Sequence, residues 1–190
     1  MMLDQDFYER DTATVARELL GKTLTHKTPE GVTSGRIVET EAYYGKGDPA
    51  SRASKKKTKL NELMWERGGL AFVYVVHGHE LFNVTTERED VPGAVLIRAL
   101  DPIKGIKQMQ KRRPVPKLQL TSGPGKLTQA MGIKRKHHKL NLTDPKSKLT
   151  IVASKHSPEF EIGKSHRIGV TEDLKRDLRF FIRKNPYVSR

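Results

Sequence analysis

Polar and apolar positions alternate most tellingly in Arg36-Ile37-Val38-Glu39-Thr40-Glu41-Ala42-Tyr43-Tyr44, which carries β-branched residues at Ile37, Val38 and Thr40 and stops at Gly45. This is a strand pattern, and side chains two apart on a strand share a face. Glu39, Glu41 and Tyr43 therefore point the same way, putting two acids and an aromatic plate on one face. Acids seldom sit on a half-buried strand without a partner. The bland alternative is a surface strand whose glutamates meet water.

Around that strand the pattern predicts the remaining elements. Asp11 precedes a helical spacing of Val15, Ala16, Leu19 and Leu20, and Gly21 ends it. Residues 22–26 and 31–44 read as strands joined by Thr28-Pro29-Glu30-Gly31, a turn sequence that allows a hairpin. Residues 46–59 are polar. Residues 61–66 suit a short helix, closed by Arg67-Gly68-Gly69. Residues 70–76 and 81–86 are apolar strands with His77-Gly78 between them, a second hairpin. Residues 91–100 form another strand, with Arg98 framed by Val95, Leu96, Ile97 and Leu100. A guanidinium in that setting needs an anion, because an unpaired buried charge costs several kcal/mol. Asp101-Pro102 predicts an N-cap and first turn of a helix to Lys111, Ser122-Gly123-Pro124-Gly125-Lys126 opens another through Met131, and residues 149–153 and 178–183 read as closing strands. Residues 134–139 are basic and show no periodicity. With no repeats, heptads or low-complexity linker, one domain over residues 1–190 is expected. Its class is α+β.

Charge changes the picture more than length does. The 190 residues include 36 Lys and Arg against 22 Asp and Glu, for a net charge of +14. A polyanion is the first partner this suggests, with nucleic acid ahead of an anionic membrane. No stretch reaches the ~20 apolar residues of a membrane span, and the start, Met1-Met2-Leu3-Asp4-Gln5-Asp6, is unlike a signal peptide. An intracellular protein, not secreted, is expected; in a bacterium it would be cytoplasmic and nucleoid-associated. The absence of cysteine excludes disulfides, thiolate catalysis and Cys-bound metals. His77 and His79 offer two imidazoles but no third ligand at a recognisable spacing, so no metal and no cofactor is assigned. Five of the eight residues from Arg52 to Lys59 are basic. Lys55, Lys56 and Lys57 in that run, and Lys126 at a helix start, are the candidates for backbone phosphates.

Taken together, the chain resembles the alkyladenine (3-methyladenine) DNA glycosylase family. The resemblance rests on Ala16-Arg17-Glu18-Leu19-Leu20-Gly21-Lys22, the Arg36 to Tyr43 strand, Asp48-x-Ala50, Tyr74 with Asn83, and Leu96-Ile97-Arg98-Ala99-Leu100. Ser122-Gly123-Pro124, Arg179-Phe180-Phe181 and Tyr187-Val188-Ser189 complete it, in collinear order. It implies a single mixed α+β domain, a curved, open-barrel-like antiparallel sheet with packed helices and a protruding hairpin, and a monomeric, monofunctional enzyme that flips alkylated or deaminated purines out of double-stranded DNA and hydrolyses the N-glycosidic bond, leaving an abasic site. On this resemblance Glu41 activates the water and Arg98 helps hold it. Tyr43 and Tyr74 sandwich the base, and Asn83 crowds out the 2-amino group of normal guanine. Two positions depart from the family pattern. Arg52 stands where a pocket histidine is usual, and His77 stands where a bulky intercalating wedge is usual. The hairpin is also one residue shorter between His77 and Asn83. Arg52 has two readings, a cation–π cover over the base or a contact to a phosphate. The departures also suit a catalytically weak protein that binds damaged or bent duplex. A basic RNA-binding domain would explain the charge, but not the face of acids and aromatics.

Overall fold

The computed structural model describes residues 1–154 and 159–189. Its framework is an eight-stranded antiparallel sheet curled into a half-barrel. The strands are β1 (Thr23–Thr28), β2 (Gly31–Tyr43), β3 (Ala71–Val76), β4 (His79–Thr85), β5 (Ala94–Lys104), β6 (Leu149–Val152), β7 (Ile162–Ser165) and β8 (Arg179–Ile182). Long β2 is the spine. Along one edge it pairs with β5 throughout; along the other its first half pairs with β1 and its second half, at Glu39 to Glu41, with β8. The order β3-β4-β5-β2-β1-β6 leaves the β3–β4 hairpin at one margin.

An irregularity between β2 and β5 shapes the concave face. Ile37 pairs with Leu100, Glu39 with Ala99 and Thr40 with Ile97, so Val38 on β2 and Arg98 on β5 are both passed over in the ladder. Such bulges bend a strand and re-aim side chains. Here the bend brings Arg98 onto the same side as Glu39 and Glu41.

The opposite face of β2 packs on helix α2 (Thr12–Leu19), whose Val15, Ala16 and Leu19 are fully buried. Asp11 caps α2 by accepting from the Thr14 N–H, and the Thr40 hydroxyl donates to the Ala16 carbonyl at 2.8 Å. Both faces of β2 are therefore covered, which explains a strand with no exposed residue between Ile37 and Ala42. A short helix, α1 (Gln5–Tyr8), capped by Asp4, and strand β7 are absent from the sequence expectations. The short helix expected over residues 61–66 forms as a 3-10 turn at Glu62–Trp65, and residues 134–139, where no element was expected, make another at Arg135–His137.

The expectation of a helix from Asp101 is corrected. β5 runs on to Lys104, with Pro102 paired to Gly35 and Asp101 in an ion pair with Arg36 at 2.8 Å. The partner strand decides the outcome: β2 extends as far as Gly31, so pairing overrides the Asp-Pro capping signal. The helix α3 (Ile106–Arg112) begins only after Gly105, which takes φ of 75°. A Cβ at Gly105 would lie 2.6 Å from the Val32 carbonyl oxygen, so the turn off the sheet needs glycine. Helix α4 (Pro124–Met131) forms as its sequence predicts, with Pro124 at its start and Gly132 in the left-handed region at its end. Among the described residues no helix is long and apolar enough to cross a membrane.

Candidate active site

Strands β2, β5, β4 and β3 present one side-chain row across the concave face: Glu41 opposite Leu96, Leu96 opposite Asn83, Asn83 opposite Phe72. Two residues along β2 from Glu41, Tyr43 sits opposite Ala94. Tyr74 comes from β3, and the far wall is the segment Ile168-Gly169-Val170. Together they bound a cavity of about 270 Å³, with Arg52, Asn83 and Arg98 also on its lining. Tyr43 and Tyr74 both line this space.

Glu41 stands behind this cavity, fully buried. Its Oε2 accepts from the Tyr43 hydroxyl at 2.7 Å and from Arg98 at 3.3 Å, and its Oε1 accepts from the Ile168 backbone N–H at 2.7 Å. Three donors thus fix the carboxylate. Burial, followed by the negative charge of Glu41, pushes the Tyr43 phenol far above its ordinary range, so it stays a donor.

Glu39 is buried just as completely but is spent on structure. Its Oε1 accepts from Arg98 at 3.0 Å, Arg179 at 2.7 Å and the Ser189 hydroxyl at 2.8 Å, while Oε2 accepts from the Ser189 N–H at 2.7 Å. Arg98 is therefore bridged between two carboxylates, one of which anchors it to β8 and to the C-terminal segment. A second ionic lock holds the other wall. The side chain of Arg167 is fully buried, bonds both oxygens of Asp48 at 2.6 and 2.7 Å, reaches Asp173 at 2.6 Å, and donates to the Ala42 carbonyl. Its guanidinium carbon also lies 4.6 Å from the centre of the Tyr43 ring. Burial raises the Asp173 carboxyl, but hydrogen bonds from Arg167 outweigh it and leave its pKa below the ordinary value. By holding residue 167, this lock sets where the Ile168 N–H meets Glu41.

The structure thus brings Glu41, Arg98, Tyr43, Tyr74, Asn83 and Arg52 together. Asn83 is buried, and its amide is fixed by donation to the Phe72 carbonyl at 3.2 Å. His77 stands apart from them at the exposed tip of the β3–β4 hairpin, in the left-handed conformation at φ 47°, followed by Gly78 at 79°. Two successive positive φ values make the tight hairpin turn that projects it. Lys55, Lys56 and Lys57 are exposed on the segment that carries Arg52, and Lys126 is exposed on the first turn of α4, next to Pro124 on the cavity wall. Beyond the hairpin and α4 lies a larger groove, of about 1570 Å³, edged by Lys107, Lys111, Lys134, Lys136 and Lys148. Among the described residues no three His, Asp or Glu side chains group to hold a metal ion.

Sequence reasoning missed Arg167 and Asp173 entirely. Arg179, Ser189 and Asp48 fall inside the motifs that carry the resemblance, without an assigned role; an arginine within a short apolar strand, as at Arg179, is the same signal that drew notice to Arg98.

Comparison with known proteins agrees with this geometry. The sequence profile of the methylpurine-DNA glycosylase family matches residues 6–186. A protein of Methanoculleus marisnigri named "Putative 3-methyladenine DNA glycosylase" is 44% identical over the whole of both chains. Proteins of the same name from Oceanobacillus iheyensis, 42% identical over 99% of this chain and 96% of their own, and Legionella pneumophila, 44% identical over 99% and 98%, match as fully. With an acid-and-tyrosine pocket beside a basic surface, and similarity along its whole length, the chain belongs to the methylpurine-DNA glycosylase family.

Proposed function

We propose that this member of a DNA glycosylase family is a monofunctional purine DNA N-glycosylase that acts on a base turned out of the duplex. The observation that carries the reading is the buried Glu41 carboxylate, held by Tyr43, Arg98 and the Ile168 N–H at the back of a cavity walled by two tyrosines. The damaged purine stacks between Tyr43 and Tyr74, and Asn83 limits what the edge of the base can carry. Turning a base out costs a few kcal/mol and costs least for a damaged or mispaired one, so selection begins before the pocket is reached. His77, at the hairpin tip, fills the gap the base leaves, and Lys55, Lys56, Lys57 and Lys126 lie where they can meet backbone phosphates.

In the chemical step the bond from the sugar C1′ to the base nitrogen breaks, and its electron pair leaves with the base. Positive charge develops on the sugar. Glu41 stabilises that charge and takes a proton from the water whose oxygen bonds to C1′. A positioned base of this kind contributes on the order of a hundredfold to ten-thousandfold. Water is the nucleophile, and among the described residues no lysine lines the cavity, so strand nicking through a Schiff base is not expected.

The test is a set of duplexes each bearing one hypoxanthine, ethenoadenine, 3-methyladenine or 7-methylguanine. Free base should be released and the strand should break only after alkali. Tight binding to these duplexes without base release would contradict the proposal, as would a borohydride-trapped covalent complex.

A further inference from the structure

Arg98, Arg179, Arg167 and Arg52 all lie in or behind the walls of the base cavity, and three of the four have carboxylate partners. Arg98 and Arg179 share Glu39, Arg98 also meets Glu41, and Arg167 is bonded to Asp48 and Asp173. Arg52 differs. Among the described residues its guanidinium meets no carboxylate and no carbonyl; it lies instead over the ring of Tyr74, 4.3 Å from the guanidinium carbon to the ring centre. Arg52 is solvent-exposed, but its backbone is tied down. The Asn61 amide donates to the Arg52 carbonyl at 2.7 Å and to the Lys56 carbonyl at 2.9 Å, and the next residue, Ala53, is buried in a small apolar cluster with Leu63, Met64 and Phe72. The backbone at 52 is thereby held at the rim, and the side chain turns inward over Tyr74 onto the cavity lining.

We propose that Arg52 sets the charge class of the base this pocket processes: neutral purine lesions with acceptor atoms on their edge, hypoxanthine among them, in preference to cationic N-methylated purines. The inference rests on the glycosylase reading above and narrows its substrate. An uncompensated cation on the cavity lining, in contact with the Tyr74 ring, opposes the entry of a second cation into the same cavity, an effect reduced by the solvent to which Arg52 is exposed. The chemical step adds to the difference. When the C1′–N9 bond of a hypoxanthine nucleotide breaks, its electron pair leaves with the base, which departs as an anion and then takes a proton from solvent. The five N–H donors of Arg52, which bond no acceptor among the described residues, are available to that growing negative charge at the acceptor atoms of the base. A 7-methylguanine already carries its positive charge, departs as a neutral base, and has a methyl group where hypoxanthine offers the N7 acceptor.

The experiment compares the wild-type protein with Arg52→Gln and Arg52→Lys. Single-turnover excision constants are measured at saturating enzyme on one duplex carrying hypoxanthine and one carrying 7-methylguanine. Saturation removes affinity from the comparison, and taking the ratio of the two constants between variants cancels the intrinsic lability of each bond. Thermal unfolding of all three proteins checks that the fold is unchanged. The hypoxanthine to 7-methylguanine ratio should fall about tenfold in Arg52→Gln, a screened fraction of the interaction between adjacent unit charges. It should stay within about threefold of wild type in Arg52→Lys. Equal loss on both duplexes in Arg52→Gln, as for a phosphate contact, overturns the proposal. So does a lysine variant that shifts as far as the glutamine variant, which would assign the effect to shape. Failure of the wild-type protein to release either base is a separate result, and contradicts the glycosylase reading itself.

Discussion

Glu39 and Glu41 stand two residues apart on one strand, both fully buried, yet the structure gives them different tasks, and Glu39→Gln separates them. Glu39 takes four hydrogen bonds, from Arg98, Arg179 and two from Ser189, tying β2 to β5, β8 and the C-terminal segment. Glutamine keeps the shape but removes the charge, and its amide nitrogen must face a donor whichever way it turns: toward three donors on one side, or toward the Ser189 N–H on the other. Removing one partner of a buried ion pair costs about 3–5 kcal/mol, and here, among the described residues, Arg179 is left without a carboxylate while Arg98 keeps only Glu41. In a protein of this length about 2–4 °C is lost per kcal/mol, so the midpoint of thermal unfolding should fall by about 6–20 °C. The control is Glu62→Gln, which breaks the exposed Lys139–Glu62 pair at 3.2 Å. That change should move the midpoint by less than about 2 °C, since surface substitutions stay within ~0.5 kcal/mol. At 25 °C the Glu39→Gln protein that remains folded should still excise base, because Glu41 keeps Tyr43 and the Ile168 N–H. Circular dichroism melts of both variants are the assay. A Glu39→Gln midpoint as little changed as that of Glu62→Gln would refute the structural assignment, and loss of excision from fully folded Glu39→Gln would refute the division of labour.

The charges carry two further predictions. DNA affinity should fall linearly with salt on logarithmic axes, and the paired substitutions Lys55→Ala with Lys56→Ala, or Lys134→Ala with Lys136→Ala, should each flatten the slope by about 0.9 for every phosphate they leave unneutralised; slopes equal to wild type would remove those lysines from the DNA path. Stability should drop as pH falls from about 6.5 to about 4, because burial, then neighbouring positive charges, hold His137 and His138 down at about 4 against an ordinary 6.5, so the unfolded chain takes up protons first. Melts recorded at steps across that window should show the decline, and the double variant His137→Gln with His138→Gln should lessen it; a midpoint independent of pH would contradict the burial of these rings.

Much of the site was legible because its signals are local. The period-2 spacing of Glu39, Glu41 and Tyr43 survives into the structure as one face of β2, and the two-residue His77-Gly78 turn forms where two apolar runs meet. What was not legible depends on partners distant in sequence. Asp101-Pro102 looks like a helix start to its neighbours but lies against Gly35 and Arg36, which only the sheet supplies. The bulge that passes over Val38 and Arg98 arises from the match between two strands and is a property of neither alone. Arg167 sits in a charged, glycine-containing stretch with no periodicity, and its role comes from Asp48, 119 residues earlier in the chain. Strand β7 has a single buried residue, Gly163, so it offers too little apolar pattern to read.

The central claim is that the Glu41 carboxylate drives base release, and the most direct test is Glu41→Gln assayed by single-turnover excision at saturating enzyme, beside duplex binding measured on the same preparation. Glutamine preserves an acceptor for Tyr43 or for the Ile168 N–H while removing the charge that stabilises the sugar and accepts the proton of water. The account predicts wild-type affinity for a duplex bearing hypoxanthine, with excision slowed by about a hundredfold or more. Excision at the wild-type rate by folded Glu41→Gln would contradict it.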